Sequence, residues 1–481
     1  IRNRSGHWNV LAGLPSAAKD ESAYQMFSRL LQIREATIQQ GHITITDEAR
    51  PDGVRTTKLE AVEMALKVYP GKAQGDLHIS ASLPAEAAPS SFSLTGTIGL
   101  SESSSSLAAE EPYSVHPAFQ FDGEIETTNL RLREAADFFG PRPVPAQLQG
   151  GANLQSRIRV APGVAGYDVV LTEIAANVDQ LAITGKANMA GLLTSQPTFS
   201  ITFASPTIDL KTLFARMPPQ WIHPQLPGIV EQRQLGGTVE IVSATLTGAT
   251  APSPQLSLTG DFRIEKGTAL IGNDRVPTQD LSATISVEPG RIRVGKVTGS
   301  YGSLQMTDGK AVVSFLDEGP WMELDISGNM TAADLVKFLT KTIRADRLTS
   351  LLAQSREIEG QTHPTFRLVG PLDKPEGITF AGGEVLAEQV SLVNPSLPQR
   401  LTAMHGRILF SQTGGAQFDQ VTANVGETQL QFNGMISGGT PSVFQDFVIR
   451  AKGSAAQLRQ MVSAGTFPDD LLYGMVNAKV Q

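Results

Sequence analysis

Cysteine is absent from these 481 residues. That removes disulfides, thiolate metal sites and a cysteine nucleophile, and it suits an oxidising compartment where a free thiol is a hazard. Aromatics are scarce at 6%, with Trp8, Trp221 and Trp321 and six Tyr. A polysaccharide site would use exposed rings and, if hydrolytic, paired carboxylates. An outer-membrane barrel would need aromatic girdles. Charge is low at 18%, and the formal net charge of −8 comes without a basic stripe. This argues against nucleic acid as a partner, because that affinity comes mainly from phosphate neutralisation. No run of eighteen or more apolar residues occurs, so no stretch reads as a membrane-spanning helix.

Chemistry-bearing motifs are missing too. The seven histidines (His7, His42, His78, His116, His223, His363 and His405) never fall within five residues of each other, so no local metal pair forms. There is no Walker loop, no G-x-S-x-G elbow and no G-x-G-x-x-G at a strand–helix junction. Glu110-Glu111 and Asp469-Asp470 read as solvated charge. The expectation is a non-enzymatic chain without catalytic residues, metal ligands or cofactor.

What the chain does contain is a repeat. QLSLTGDFRIEKGTALIGNDRVPTQDLSATISV, VTGSYGSLQM and MELDISGNMTAADLVKFL are answered by ITFAGGEVLAEQVSLVNPSLPQRLTAMHGRILF, VTANVGETQLQF and FVIRAKGSAAQLRQMV. Four landmark pairs, Gly260/Gly382, Pro277/Pro398, Gly302/Gly426 and Leu335/Leu458, lie 122, 121, 124 and 123 residues apart. Self-similarity at one period points to units stacked in an array.

Period-two alternation runs through most of the chain. Val62, Met64, Leu66 and Val68 alternate, as do Leu77, Ile79, Ala81 and Leu83, then Phe92, Leu94, Gly96, Ile98 and Leu100. Such runs predict strands with one apolar and one polar face. Gly41, between two apolar runs, reads as a hairpin turn. Residues 101–118, rich in Ser and acid, read as a mobile loop. Short helices are expected over 20–31 with Asp20 as N-cap, in LRLREAADFFG ending at Gly140, in SPTIDLKTLFARM, and in AAQLRQMV. The longest helical reading runs from Ala332 to about Gln354. Pro218, Pro219, Pro224 and Pro227 are too many for a helix or central strand and mark a boundary. A doubly wound α/β fold, which alternates helices with single strands, is excluded.

The predicted fold is mostly β: an elongated, repeated antiparallel β-groove, a curled sheet, with short helices between units. Four segments are expected. These are an N-terminal β region with a short helix (1–112), a middle β-groove unit (113–231), the first repeat copy ending in the longer helix (232–363) and the second copy (364–481). At this level a closed two-sheet sandwich and a sheet curled around an apolar trough look alike. An open trough exposes aliphatic surface that water penalises at roughly 25 cal/mol per Å² and that an acyl chain would cover. Candidates for its lining are Leu94, Ile98, Phe119, Phe121, Phe199, Ile201, Phe203, Leu258, Phe262, Leu324, Ile326, Leu430 and Phe432.

One family has this grammar. SGHWNVLAGL followed by LLQIREATIQQGHITITDE is similar to the N-terminal region of the AsmA-like family of bacterial envelope proteins, with the pattern I-x-x-x-x-I-x-x-G-x-I-x-x-x-D at Ile33, Ile38, Gly41, Ile43 and Asp47. The L-x-G-x-h-x-h strands and the turns at Asp209-Leu210 and Asp334-Leu335 also resemble that family. The resemblance implies a periplasmic protein of repeated β-groove units, anchored to the inner membrane by an N-terminal helix. It implies phospholipid acyl chains as partners, shielded for transfer between inner and outer membrane in support of outer-membrane biogenesis. It supplies no catalytic motif. The chain begins Ile1-Arg2-Asn3 and lacks the helix, so the expectation is a piece of a longer protein with its anchor upstream. The alternative expectation is a periplasmic β-sandwich scaffold or assembly factor without lipid cargo.

Overall fold

A computed structural model describes residues 34–453 except 48–54, 70–73, 84–89, 102–117, 132–149, 164–165, 179–180, 193–196, 218, 250–255, 272–275, 343–349, 351, 375–376, 396, 398 and 439–442. Of the described residues, 78% are strand and 10% helix, in antiparallel sheet that curls and stays unclosed. The fold is a mostly β groove. The expected helices over 20–31, 130–140 and 455–462, the Ser-rich loop at 101–118 and the landmarks Pro398 and Leu458 lie largely or wholly outside the described residues.

The strands follow the chain. In order they are β1 (Glu35–Asp47), β2 (Arg55–Val68), β3 (Gln74–Leu83), β4 (Ser90–Ser101), β5 (Ala118–Arg131), β6 (Gly151–Pro162), β7 (Tyr167–Val178), β8 (Leu181–Leu192), β9 (Thr198–Asp209), β10 (Gly236–Ala249) and β11 (Leu256–Thr268). Then come β12 (Leu270–Ile271), β13 (Val276–Glu288), β14 (Arg291–Tyr301), β15 (Leu304–Leu316), β16 (Gly319–Thr331), β17 (Arg356–Pro371), β18 (Thr379–Val393), β19 (Leu401–Ser411), β20 (Ala416–Val425), β21 (Thr428–Ile436) and β22 (Phe444–Lys452). Among the described residues the helices α1 (Leu210–Arg216), α2 (Leu226–Arg233) and α3 (Ala332–Thr342) interrupt them; of the helix expected to run on to Gln354, residues 350 and 352–354 are helical, and 343–349 and 351 lie outside the described residues. Two compact units divide the chain: unit one holds 1–222 and 239–262, and unit two holds 223–238 and 263–481.

Two local expectations are corrected. Gly41 is not a hairpin turn. It lies inside β1, where the pairing with β2 shifts register on both sides of it and Gln40 takes φ +51°. An extra residue in one strand makes a β-bulge, and Gly fits there because a Cβ would come 2.8 Å from Ile38 Cγ2. The proline-rich segment does enter a helix: α2 starts at Leu226 with Pro227 in its first turn. There the missing N–H has no intrahelical partner to lose.

The repeat is carried by backbone more than by side chains. Gly302 and Gly426 take φ +57° and +58° in the tight turns that follow β14 and β20, a left-handed conformation that costs Gly little. Strand bulges recur at the same spacing on unlike residues: Lys266 and Gln389 (φ +51° each), Asp280 and Ala403 (+52°, +47°), Lys296 and Gln420 (+53°, +50°). Glu173, at φ +54°, stands 123 residues before Lys296, so unit one carries the same device in β7.

Helix entry is equally regular. Asp209 caps α1, its Oδ1 accepting from the amides of Lys211 (3.0 Å) and Thr212 (3.1 Å). Before α3, Thr331 Oγ1 accepts from the Asp334 amide (3.2 Å) and its hydroxyl donates to Asp334 Oδ2 (2.7 Å). Lost cap bonds cost about 1 kcal/mol, so Thr331→Ala should destabilise α3 by that amount, read as faster amide exchange over 332–342. The Thr331 hydrogen bond, then the one from Lys337 at 3.1 Å, holds the Asp334 carboxyl below its ordinary 3.8. The charged form is the bonded one. Its stabilisation is present above the unfolded value and is lost as pH falls through the folded one. The protection of α3 amides, measured relative to their intrinsic exchange rate at each pH, should therefore fall below about pH 4, and Asp334→Asn should flatten that response.

Candidate functional site

The candidate site is the apolar face of the sheet in unit one, and strand register builds it. Side chains at paired positions on neighbouring strands stand on one face about 4.8 Å apart. Following the pairing from β2 to β9 gives one lateral row: Leu66, Leu77, Gly96, Gly123, Ile158, Leu171, Ala187, Ile201. No member is polar, and every one is half-buried. Beside it runs a second row: Val68, Gly75, Ile98, Phe121, Val160, Val169, Met189, Phe199. On the other flank Met64, Ile79, Leu94 and Ile125 form a shorter row.

Two adjacent members of the middle row, Gly96 and Gly123, have no side chain. Gly96 pairs with Gly123, and a Cβ on either would come 2.3 or 2.2 Å from a carbonyl oxygen of the facing strand. Only Gly allows that approach, and it leaves the floor without side chains at two adjacent positions. Seven strand spacings make the row about 34 Å long, measured along the sheet. A hydrocarbon chain in one bilayer leaflet spans about 15 Å, so the row exceeds one tail.

The opposite face is wet. The row between the two long apolar rows, pointing the other way, reads Lys67, Asp76, Thr97, Asp122, Arg159, Val170, Asn188, Ser200. All but Ser200 are exposed. Charges of both signs stand on that face, and Arg157 meets Asp122 at 3.4 Å. Water solvates one face and is penalised on the other.

The expected lining residues divide into groups. Leu94, Ile98, Phe121, Phe199 and Ile201 all stand on the unit-one rows, where Leu94, Phe199 and Ile201 are half-buried and Ile98 and Phe121 are buried at 7% and 3% exposure. Phe203 continues β9 beyond them and is buried at 7% exposure. Phe119 sits past the end of the second row, its ring 5.2 Å from that of Tyr167 and its amide donating to the Tyr167 hydroxyl at 3.4 Å. Leu258 and Phe262, on β11, are buried. Leu324 and Ile326 belong to unit two, paired with Leu368 and Phe366. Leu430 is sealed at 1% exposure in a cluster with Leu401, Ala423 and Val425, and Phe432 packs against it. Ile158, Leu171, Ala187, Val160, Val169 and Met189 were not among the expected residues. Their alternation is present in sequence, but Ala and Met are weak markers of an apolar row, and membership is set by register.

Unit two bears similar rows, and part of its floor is covered. Ile326, Phe366, Gly383, Phe410, Ala416 and Ile436 align across β16 to β21. Leu335 and Leu339 of α3 are buried with Met330, Phe366 and Val385. His223 stacks on Phe315 with ring centroids 3.9 Å apart, and burial lowers its pKa. Arg233 of α2 donates to the Leu372 carbonyl at 3.0 Å.

Among the described residues, no helix is long and apolar enough to cross a membrane, and no three His, Asp or Glu are placed to hold a metal ion. Compared with protein families, curated proteins and solved structures, the chain matches none.

Proposed function

We propose that the chain is a non-enzymatic lipid-binding protein whose unit-one trough shields phospholipid acyl chains. The observation that carries this is the middle row from Leu66 to Ile201, free of polar side chains over eight strands and half-buried, sealed nowhere, along its whole length. A closed core would leave such residues sealed, as Phe366 and Val385 are in unit two at 4% and 1% exposure. Hydrophobic attraction is non-directional, so the trough fits a flexible tail better than a ligand that needs a fixed polar partner. Headgroups would stay in water at the rim.

The resemblance to AsmA-like proteins extends the proposal. The setting would be the periplasm, with an inner-membrane anchor outside this chain. The task would be carriage of phospholipid between inner and outer membrane, in support of outer-membrane biogenesis.

A fluorescent polyene fatty acid, cis-parinarate, tests the binding step. Added to lipid-free protein, it should brighten and be displaced by palmitate. A flat signal would sink the proposal and favour the scaffold reading, a β-rich rod that holds envelope partners and carries no lipid.

A further inference from the structure

In unit one the middle row of the apolar floor is half-buried, although Val68, Ile98 and Phe121 beside it are buried; in unit two the chain covers part of its own floor with a helix. α3 lies there with Leu335 and Leu339 buried and the Phe338 ring stacked on Phe366 at 4.7 Å between centroids. The outer side of the helix is wet: the Lys337 side chain is 76% exposed. At its N-terminal end the helix is tied by the Thr331–Asp334 cap. Its contact with the floor is apolar, and apolar contact is scored by area rather than by partner. A hydrocarbon tail can therefore replace it. With eleven residues, α3 is also shorter than a helix needs to persist in water once lifted.

We infer that α3 is a displaceable cover that competes with an acyl chain for the floor around Phe366, so that unit two accepts a tail only when α3 lifts. This rests on the lipid-binding reading above. Unit one, with its half-buried row, takes the first tail. Unit two fills afterwards, at the cost of opening the helix. The device would make loading sequential within one chain.

The test uses the full chain, palmitate as the probe and amide exchange over 332–342. Loading with palmitate should speed exchange there, and Phe338→Ala should fill unit two at severalfold lower palmitate than the native chain needs, because a larger lifted fraction raises the apparent affinity. Unchanged α3 exchange in a chain that does bind palmitate, with no gain in Phe338→Ala, overturns the inference and leaves the lipid-binding reading standing. If the native chain binds no palmitate but Phe338→Ala does, the cover is supported and the unit-one reading falls. If neither binds, both fall. Should Phe338→Ala fail to fold, the exchange measurement on the native chain decides alone.

Discussion

Ile201→Asp should leave unit one folded and abolish retention of a fatty acid there. Ile201 ends the middle row and is half-buried. With the trough empty, a carboxylate at that position keeps its water. Beneath a hydrocarbon tail it must lose that water without a partner, which costs several kcal/mol. Each 1.4 kcal/mol is tenfold in affinity, so binding should fall by roughly a hundredfold or more. Two controls fix the interpretation. Asn188→Asp lies on the wet face, in the next row, and should bind as the native chain does. Phe262→Asp places the charge at a site only 8% exposed and should prevent folding, as an unpaired buried charge does. A misfolded Ile201→Asp chain would mean that the row is a sealed core.

Phe366→Ala carries the largest expected loss of stability. The Phe366 ring is 4% exposed, stacked on Phe338 and edge-on to Phe380 at 6.0 Å. Deleting it removes transfer energy and leaves a cavity that the strands cannot close, about 3–5 kcal/mol. Denaturant unfolding followed by amide exchange should show the loss in β16 to β18 and in α3. Phe199→Ala, at a half-buried position in unit one, should cost markedly less, because much of that ring is already in water. Equal losses at the two sites would contradict the distinction between an open and a covered floor.

Alternation of apolar and polar residues made the strands and the fold class legible, because a two-faced sheet imposes it residue by residue. The same alternation is what places Leu94, Ile98, Phe121, Phe199 and Ile201 on the apolar face. Register could not be read. It depends on bulges such as those at Ala61 and Glu173 (φ +47° and +54°), and these sit on residue types that carry no bulge signal. Hence Leu171 and Ala187 joined the row only once pairing was known. The repeat illustrates the same point. Gly302 and Gly426 were visible because Gly marks the turn, whereas Asp280 and Ala403 do the same backbone work without sharing chemistry. The helical spacing of Leu335 and Leu339 was plain, but which surface they cover was not. That depends on β17 returning beside β16, far along the chain.

Whether an apolar tail occupies the unit-one trough is decided by mass spectrometry of organic extracts from the chain, purified without detergent from a bacterial envelope fraction, with the native chain compared to Ile201→Asp. Co-purifying phospholipid is expected on the native chain, with a clear loss of it from the folded variant. A native chain that is folded and free of lipid, or a variant that retains as much as the native chain, would contradict that occupancy.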